Sequence, residues 1–156
     1  MHKQSEISFR KATREDLREI VRLLADDFLG KEREKYQQPL PQTYYDAFEE
    51  IDGDENNELV VAEIDGEIIG TLQLTYIPSI SFQGGKRAQI ESVRIDSKLR
   101  GKGLGHKLFE WAIERSREKH CHVVQLTTNN NRTDAHRFYH RLGFVSSHTG
   151  MKLKLK

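Results

Sequence analysis

The chain has 156 residues, of which 36% are hydrophobic, so it is long enough to bury a substantial core in one domain. Its 25 Lys and Arg residues and 24 Asp and Glu residues give a formal net charge of +1. This balance gives no general reason to expect a nucleic acid or an anionic membrane as a partner. Cys121 is the only cysteine, which excludes an internal disulfide and favours a reducing, cytoplasmic setting. The polar N-terminus and the lack of ~18 consecutive apolar residues predict neither a secretory signal nor a membrane span.

The first elements predicted are a short strand and two helices. Residues 7–11 form the strand, and Thr13 and Asp16 have the spacing of a capping box at a helix start. A second helix follows Pro41 and ends near Gly53. The first helix carries an apolar stripe at helical spacing, formed by Leu17, Ile20, Val21, Leu24 and Phe28.

Three strands come next and form a predicted antiparallel meander. Residues 59–64 are apolar and β-branched, and Asp65-Gly66 is a strong hairpin turn. The following strand alternates apolar and polar residues as far as Tyr76. A turn marked by Pro78 and by Gly84-Gly85 leads to the third strand, residues 88–95.

The C-terminal half predicts a helix after a glycine-rich stretch, a strand at residues 122–128 and a short helix at residues 133–142. Two last strands are predicted, one restarting at Gly143-Phe144 and one at residues 151–155. The order is therefore β-α-α-β-β-β-α-β-α-β-β in a single α/β (α+β) domain, residues 1–156. The buried stripe of the first of these helices is Leu104, Leu108, Trp111 and Ala112.

The glycine-rich stretch between the strand at residues 88–95 and this helix indicates a site for a phosphate group. Gly101, Gly103 and Gly105 allow the backbone to approach a ligand closely, and the first N–H groups of a helix favour an anion. A P-loop would require Gly-Lys-Ser/Thr, and a dinucleotide-binding turn would require G-x-G-x-x-G between parallel strands. A cradle for the pyrophosphate of coenzyme A remains, with a flexible loop as the unspecific alternative.

Two motifs resemble those of a known family. Arg100-Gly-Lys-Gly-Leu-Gly105 matches the Q/R-x-x-G-x-G/A signature of GNAT acetyltransferases, and residues 135–144 resemble that family's A-x-x-x-Y-x-x-x-G-F block. The element order also matches, so the resemblance covers nearly the whole chain. It implies a GNAT-type domain with a mixed, mostly antiparallel central sheet flanked by helices. Residues 126–139 are also similar to aminoalkylphosphonate N-acetyltransferases.

The resemblance implies acetyl-CoA as co-substrate and assigns residues to it. The backbone of Val93, Arg94 and Ile95 would pair with the pantetheine arm. Many members of the family have an Asn just before the helix that carries the tyrosine, whereas this chain has Arg132 there, preceded by Asn129, Asn130 and Asn131. Which of these four side chains contacts the coenzyme stays open, and Asn131 and Arg132 are the candidates. The pyrophosphate would bind at Arg100, Gly101, Lys102, Gly103, Leu104, Gly105, His106 and Lys107.

Acetyl transfer to an amine requires a neutral amine, a stabilised oxyanion and a proton for the departing thiolate. By resemblance Tyr139 is the proton donor, and packing on its helix is the alternative role. Glu91 is a candidate base because the two-residue period places it on one face with Val93 and Ile95, inside an apolar strand. It could instead bind the ammonium group, form a salt bridge with Arg87 or Arg94, or lie at a surface edge of the strand. A backbone N–H near Val93 is the expected oxyanion donor.

The histidines do not have the pattern of a metal site. His120, Cys121 and His122 adjoin one another, and His136 and His140 are four residues apart, but no H-E-x-x-H or CxxC accompanies them. We therefore expect no metal.

The acceptor is predicted to be a small primary amine, attacked directly in a ternary complex. A peptide or protein amine is the second prediction, and an acyl-CoA-binding module without turnover is a third. Residues 28–45 and 78–86 are the regions expected to choose the acceptor, and a homodimer is possible. The aromatic residues considered for lining are Tyr36, Tyr44, Tyr45 and Phe82.

Overall fold

The computed structural model describes residues 5–156. The strands are β1 (Ser8–Lys11), β2 (Asn57–Ile64), β3 (Glu67–Ile77), β4 (Lys86–Ile95) and β5 (Cys121–Gln125). The helices are α1 (Leu17–Ala25), α2 (Gly30–Arg33), α3 (Gln42–Asp52), α4 (Ser81–Gly84), α5 (Leu104–Glu118) and α6 (Thr133–Arg141).

One five-stranded sheet organises these elements in the order β1-β2-β3-β4-β5. The first four strands pair antiparallel with their neighbours, and β5 pairs parallel to β4. Helix α5 makes the crossover between β4 and β5, because two parallel strands cannot be joined by a tight turn. The predicted meander and the mixed, mostly antiparallel sheet are confirmed.

Both faces of the sheet are covered by apolar side chains from helices. On one face, Leu108 and Phe109 of α5 pack against Leu72, Leu74 and other buried residues of β2, β3 and β4. On the other face, α1 and α3 pack against Val61 of β2. Successive side chains of β2 and β3 point to opposite faces of the sheet, so each strand contributes residues to both cores, as a three-layer α/β domain requires.

The start of α1 is as predicted, but its end is not. The Asp16 carboxylate accepts a hydrogen bond from the Thr13 backbone N–H at 2.7 Å, which confirms the capping box. The helix ends at Ala25, so Phe28 is not part of its apolar stripe and is exposed. The short helix α2 follows, and its charged residues Lys31, Glu32 and Arg33 are exposed.

A buried carboxylate joins the sheet to α5. Glu58 accepts hydrogen bonds from Arg115 Nη2 at 2.6 Å and from the Tyr76 hydroxyl at 2.9 Å. Burial by itself would raise the pKa of Glu58, but these hydrogen bonds outweigh it and hold the pKa below its ordinary value. The ion pair fixes the C-terminal half of α5 on β2 and β3.

The two strands predicted at the C-terminus are wrong for this chain taken by itself. The residues after α6, from Gly143 onward, form no helix or strand. Gly143, at φ 96°, follows the end of the helix, and none of the later residues pairs with a strand of the sheet. Phe144 packs against the core, but Val145, Met151, Leu153 and Leu155 are exposed, although the alternation of residues 151–155 is typical of a half-buried strand.

Candidate active site

A bulge in β4 shapes the site. Ser92 and Val93 together lie opposite Leu72 of β3, and Ser92 adopts a left-handed conformation with φ 55°. The ladder between β4 and β5 extends only to Gln89 of β4. From Ile90 onward, the edge of β4 that faces β5 has no strand partner among the described residues. Its free backbone groups are available to an extended ligand.

The bulge also separates the faces of Glu91 and Val93. Glu91 lies opposite Gln73, whereas Ile95 lies opposite Gly70, and these two residues of β3 point to opposite faces of the sheet. Val93 and Ile95 pack against the α5-side core. The predicted common face of Glu91, Val93 and Ile95 is therefore wrong. Glu91 is exposed, so the expectation that it is buried in an apolar strand is also wrong.

The glycine-rich turn leads directly from β4 into α5. Gly101 and Gly103 have φ angles of 78° and 76°, in the left-handed region that favours glycine. No side chain caps the N-terminus of α5, and the Lys107 N–H reaches the Gly103 carbonyl at 3.3 Å. The first N–H groups of the helix therefore point outward toward the turn. This conformation is the one that an anion-binding turn needs.

A cavity of about 400 Å³ lies beside this turn. It joins the end of β4, the glycine-rich turn and α6. Phe138 and Arg141 of α6 line this cavity. Neither residue was predicted to contact the cofactor, although their spacing of three residues places them on one face of the helix. The remaining lining consists of Ile95, Leu99, Arg100, Gly101, Gly103, Leu104, Gly105 and His106. Two arginines thus add positive charge where a pyrophosphate was expected.

Tyr139 lies on the inner side of α6 within an aromatic cluster. Its ring centroid is 5.4 Å from that of Phe109, 5.6 Å from Phe138 and 6.0 Å from Phe144. Burial raises the pKa of Tyr139, and the charges of Arg132 and Arg94 lower it by less. The hydroxyl makes no hydrogen bond to any other described residue. The Tyr139 hydroxyl is therefore protonated and has no hydrogen-bond acceptor among the described residues.

Arg94 is held on the opposite side of β4 from the glycine-rich turn. Its Nε lies 3.1 Å from Asp27 Oδ2, and only 12% of its side chain is exposed. Its Nη1 donates to the Val93 carbonyl at 2.8 Å. Burial lowers the pKa of Arg94 while Asp27 opposes that change, and positive charge from Arg132 and Arg33 adds to the lowering. Arg94 therefore places a nearly buried positive charge at the bulged part of β4, paired with Asp27.

The turn before α6 distinguishes the four candidates there. Asn129 Oδ1 accepts the Asn131 N–H at 2.9 Å, and the Asn129 carbonyl accepts the Arg132 N–H at 3.0 Å and His136 Nε2 at 3.1 Å. Asn129 is thus engaged in building the turn. The side chains of Asn130, Asn131 and Arg132 are exposed beside it.

Two of the histidines considered as metal ligands form hydrogen bonds with backbone carbonyl groups instead. His122 Nδ1 donates to the Lys86 carbonyl at 2.8 Å, and His140 Nδ1 donates to the Phe144 carbonyl at 3.1 Å. Within residues 5–156, no group of three or more His, Cys, Asp or Glu side chains is placed to hold a metal ion. No helix in that range is both long and apolar enough to cross a bilayer.

A second cavity, of about 110 Å³, lies between α1, α3 and the sheet. Tyr44, Gln73 and Ser92 are among its lining residues, so it reaches the bulge from the side opposite α5. The Tyr44 hydroxyl donates to Glu34 Oε2 at 2.8 Å, which holds the ring in place. The other aromatic residues considered for the acceptor lie elsewhere: Arg18 lies over Tyr36, Arg14 over Tyr45, and His122 beside Phe82.

Comparisons with known proteins agree with this geometry. Residues 17–144 match the Acetyltransferase (GNAT) family. An aminoalkylphosphonate N-acetyltransferase of Salmonella typhimurium is 30% identical over 89% of this chain and 85% of its own length. A glucosamine 6-phosphate N-acetyltransferase of Trypanosoma brucei brucei is 34% identical over 58% of this chain and 59% of its own. The crystal structure of a transcriptional regulator from Bacillus halodurans C-125 has a TM-score of 0.93 at 51% identity, covering 96% of this chain and 100% of the regulator.

The family match spans most of the chain, and the sheet, the glycine-rich turn and the α6 motif lie within it. The chain therefore belongs to the GNAT family of acetyltransferases. It is an acetyl-CoA-dependent N-acetyltransferase, as the resemblance in its motifs predicted.

Proposed function

We propose that this protein transfers the acetyl group of acetyl-CoA to the primary amine of a small molecule by direct attack in a ternary complex. The observation that carries the proposal is the continuity of the unpaired β4 edge with the uncapped glycine-rich turn. An extended thioester arm and a pyrophosphate need these two features in this order. We also propose a cytoplasmic setting, consistent with the single cysteine.

In this proposal the coenzyme lies along β4 and over the start of α5. The backbone of Val93, Arg94 and Ile95 pairs with the pantetheine arm, which takes the place that β5 leaves after Gln89. The N–H groups from Gly101 to Lys107 hold the pyrophosphate. The charges of Arg100, Lys102, Arg132 and Arg141 surround the phosphates, and the exposed amide of Asn131 can donate a hydrogen bond to them. Arg141 is an addition to the sequence prediction that its position in the cavity supports.

The chemistry is an addition followed by an elimination. The neutral amine nitrogen attacks the thioester carbonyl, and a backbone N–H near Val93 stabilises the oxyanion. The carbon–sulfur bond then breaks, and the Tyr139 hydroxyl gives its proton to the departing thiolate. The attacking nitrogen, which became cationic on addition, loses its extra proton to water, and the Tyr139 phenolate takes a proton back from water. The raised pKa of Tyr139 keeps that proton in place at neutral pH.

Glu91 is proposed to receive the proton that the ammonium group must lose before attack. Its side chain is exposed and lies on the face that carries Gln73 and the small cavity, so it reaches solvent and the acceptor from the side opposite α5. An exposed carboxylate relays a proton to water readily, and it also attracts the ammonium group to the bulge. The two roles make different predictions for its replacement by glutamine.

The acceptor we favour carries an anionic group in addition to its amine. Arg94 is nearly buried at the bulge, where positive charge from Arg33 and Arg132 and negative charge from Asp27 and Glu34 act on it, so these five groups together carry one excess positive charge. The named substrates of the Salmonella and Trypanosoma relatives, an aminoalkylphosphonate and a sugar phosphate, are of this kind. This chemistry is proposed for the present chain by extension.

The test is a thiol-release assay with acetyl-CoA and matched pairs of amines. Each pair differs by one anionic group, for example an aminoalkylphosphonate against the alkylamine, or glucosamine 6-phosphate against glucosamine. We expect release with a small amine and a lower KM for the anionic member. Equal KM values would refute the anionic preference, and release only with peptides would favour the second acceptor class.

Calorimetry separates the remaining alternatives. We expect acetyl-CoA and CoA to bind and ATP not to bind. Binding of acetyl-CoA without thiol release from any amine would indicate a binding module. The Bacillus halodurans relative is named a regulator, but the formal net charge of +1 gives no general reason to expect DNA as a partner, and we expect a duplex added to the same experiment to produce no heat.

A further inference from the structure

The C-terminal segment, residues 151–156, has the sequence pattern of a strand but no sheet to join. Met151, Leu153 and Leu155 alternate with lysines, as the side chains of a half-buried strand do. In the structure these three side chains are 93%, 85% and 90% exposed. Backbone hydrogen bonding along residues 145–156 is confined, among the described residues, to Ser147 N–H with the Val145 carbonyl.

The same chain has a sheet edge that lacks a strand. β5 pairs with β4 on one side, and its other side has no partner in the described part of the chain. Val123, which belongs to this strand, is 41% exposed. The exposed Phe82 ring lies 5.2 Å from the ring of His122, so the surface around the edge is partly apolar. An unpaired edge of this kind is a template for another strand.

The segment starts beside this edge and still leaves it empty. A Cβ atom on Gly150 would lie 3.7 Å from the Thr127 methyl group, just after β5 ends. From that point the segment could run back along its own β5, yet its next six residues are exposed. Six residues of strand span about 20 Å and the five of β5 about 17 Å, so the segment and the edge agree in length.

We propose that two copies of this chain exchange their C-terminal segments, and that residues 151–156 of each copy pair with the β5 edge of the other. A two-fold arrangement satisfies both deficits at once, because each copy supplies one segment and one edge. Met151, Leu153 and Leu155 then face the partner's apolar surface, and Lys152, Lys154 and Lys156 face solvent. The strand predicted at residues 151–155 forms in the dimer only. The acetyltransferase activity plays no part in this inference.

The first test measures the mass of the full chain in solution by light scattering or sedimentation. We expect twice the chain mass of 18.2 kDa at micromolar concentrations. Leu153→Lys with Leu155→Lys should give the single mass while the helical circular dichroism signal and the cooperative unfolding of the domain are retained, because these side chains are exposed in their own copy. The matched control, Lys152→Ser with Lys154→Ser, alters the other face and should remain dimeric.

The second test distinguishes exchange from pairing within one chain. In a Cys121→Ser background, Val123→Cys is combined with a cysteine at each position from 151 to 155 in turn, and the proteins are oxidised. We expect at least one pair to form a disulfide between chains, seen as the double mass without reductant and as a linked pair of peptides. Variants with either cysteine alone serve as controls.

The outcomes decide the proposal. A double mass lost in the leucine variant, with a disulfide between chains, supports the exchange. A single mass for the natural chain would overturn it. A disulfide within one chain at the single mass would show that the segment folds on its own β5, and the absence of any disulfide would show that the segment does not reach β5. Both of these results also overturn the exchange.

Discussion

Replacing Tyr139 with phenylalanine removes one oxygen atom from the proposed acid and leaves its packing intact. The ring contacts with Phe109, Phe138 and Phe144 are made by carbon atoms that phenylalanine keeps. The hydroxyl has no hydrogen-bond partner among the described residues, so its removal leaves no protein group unsatisfied. We therefore expect the free energy of unfolding of Tyr139→Phe to differ little from that of the natural chain.

The expected loss lies in turnover. A positioned acid typically contributes about 10²–10⁴-fold to the rate, which corresponds to about 3–5 kcal/mol of transition-state stabilisation. Because burial raises the pKa of Tyr139, its proton is held across neutral pH and is lost only above the ordinary tyrosine value of 10.0. The contribution of this residue to kcat should therefore be constant from neutral pH upward and fall only in strongly alkaline solution.

The assay is thiol release with saturating acetyl-CoA, compared with the dissociation constant for acetyl-CoA from calorimetry. We expect kcat to fall at least about 10²-fold and the dissociation constant to stay within about twofold. Tyr36→Phe, which removes a hydroxyl from an exposed ring in another part of the molecule, should leave both unchanged. Equal kcat values for Tyr139→Phe and the natural chain would refute the acid role and leave Tyr139 a packing residue.

Four further replacements test the rest of the molecule. Gly105→Ala should raise the melting temperature, since alanine favours a helix by up to ~1 kcal/mol and its methyl group would contact only Phe138, at 3.7 Å. The same replacement should weaken acetyl-CoA binding about tenfold or more. Unchanged binding in calorimetry would contradict the pyrophosphate site. Gly103→Ala should cost ~1–2 kcal/mol through its left-handed backbone and also lose acetyl-CoA, whereas Gly66→Ala, equally strained in the hairpin, should lose stability alone. Glu91→Gln should move the pH–rate profile toward higher pH if Glu91 is the base; an unmoved profile with a higher KM would assign it to ammonium binding. Glu58→Gln should lower the free energy of unfolding by about 3–5 kcal/mol in urea titrations. Because the pKa of Glu58 is lowered in the folded state, this difference from the natural chain should be complete above pH 4.5, the ordinary pKa, and should shrink as the pH falls below it. A difference that does not change with pH would contradict the ion pair.

Much of the architecture was predictable because local patterns determine it. The capping box of Thr13 and Asp16, the Asp65-Gly66 turn and the glycines before α5 each have a conformational reason that needs no tertiary information. The meander followed from alternation, and the short connections between its strands made them neighbours. These parts of the fold were predicted correctly because a few adjacent residues determine each of them.

The position of Glu91 was not predicted because a bulge shifts the alternation. The buried positions of β4 run through Ala88 and Ile90 and continue at Val93 and Ile95, a step of three residues where a regular strand has steps of two. That step is visible in the sequence and signals one extra residue. A regular two-residue period, applied across it, put Glu91 on the wrong face.

The C-terminal strands failed for a different reason. The alternation of residues 151–156 was identified correctly, but a pattern specifies only that a segment suits a sheet, and the sheet need not belong to the same molecule. Likewise, Arg141 and Phe138 line the cavity beside the glycine-rich turn because α6 packs next to α5, and the sequence around these two residues does not specify that packing.

The open edge of β4 has a cost for the protein when no coenzyme is present. Beyond Gln89 this strand is not paired with β5, and open backbone edges promote self-association of proteins. In the proposed complex the coenzyme covers this stretch, so that acetyl-CoA acts on solubility and folding as well as on chemistry. At a coenzyme concentration 100 times the dissociation constant, binding adds about 2.7 kcal/mol to the folded state. The metabolic supply of acetyl-CoA would then govern how long each molecule survives between rounds of catalysis.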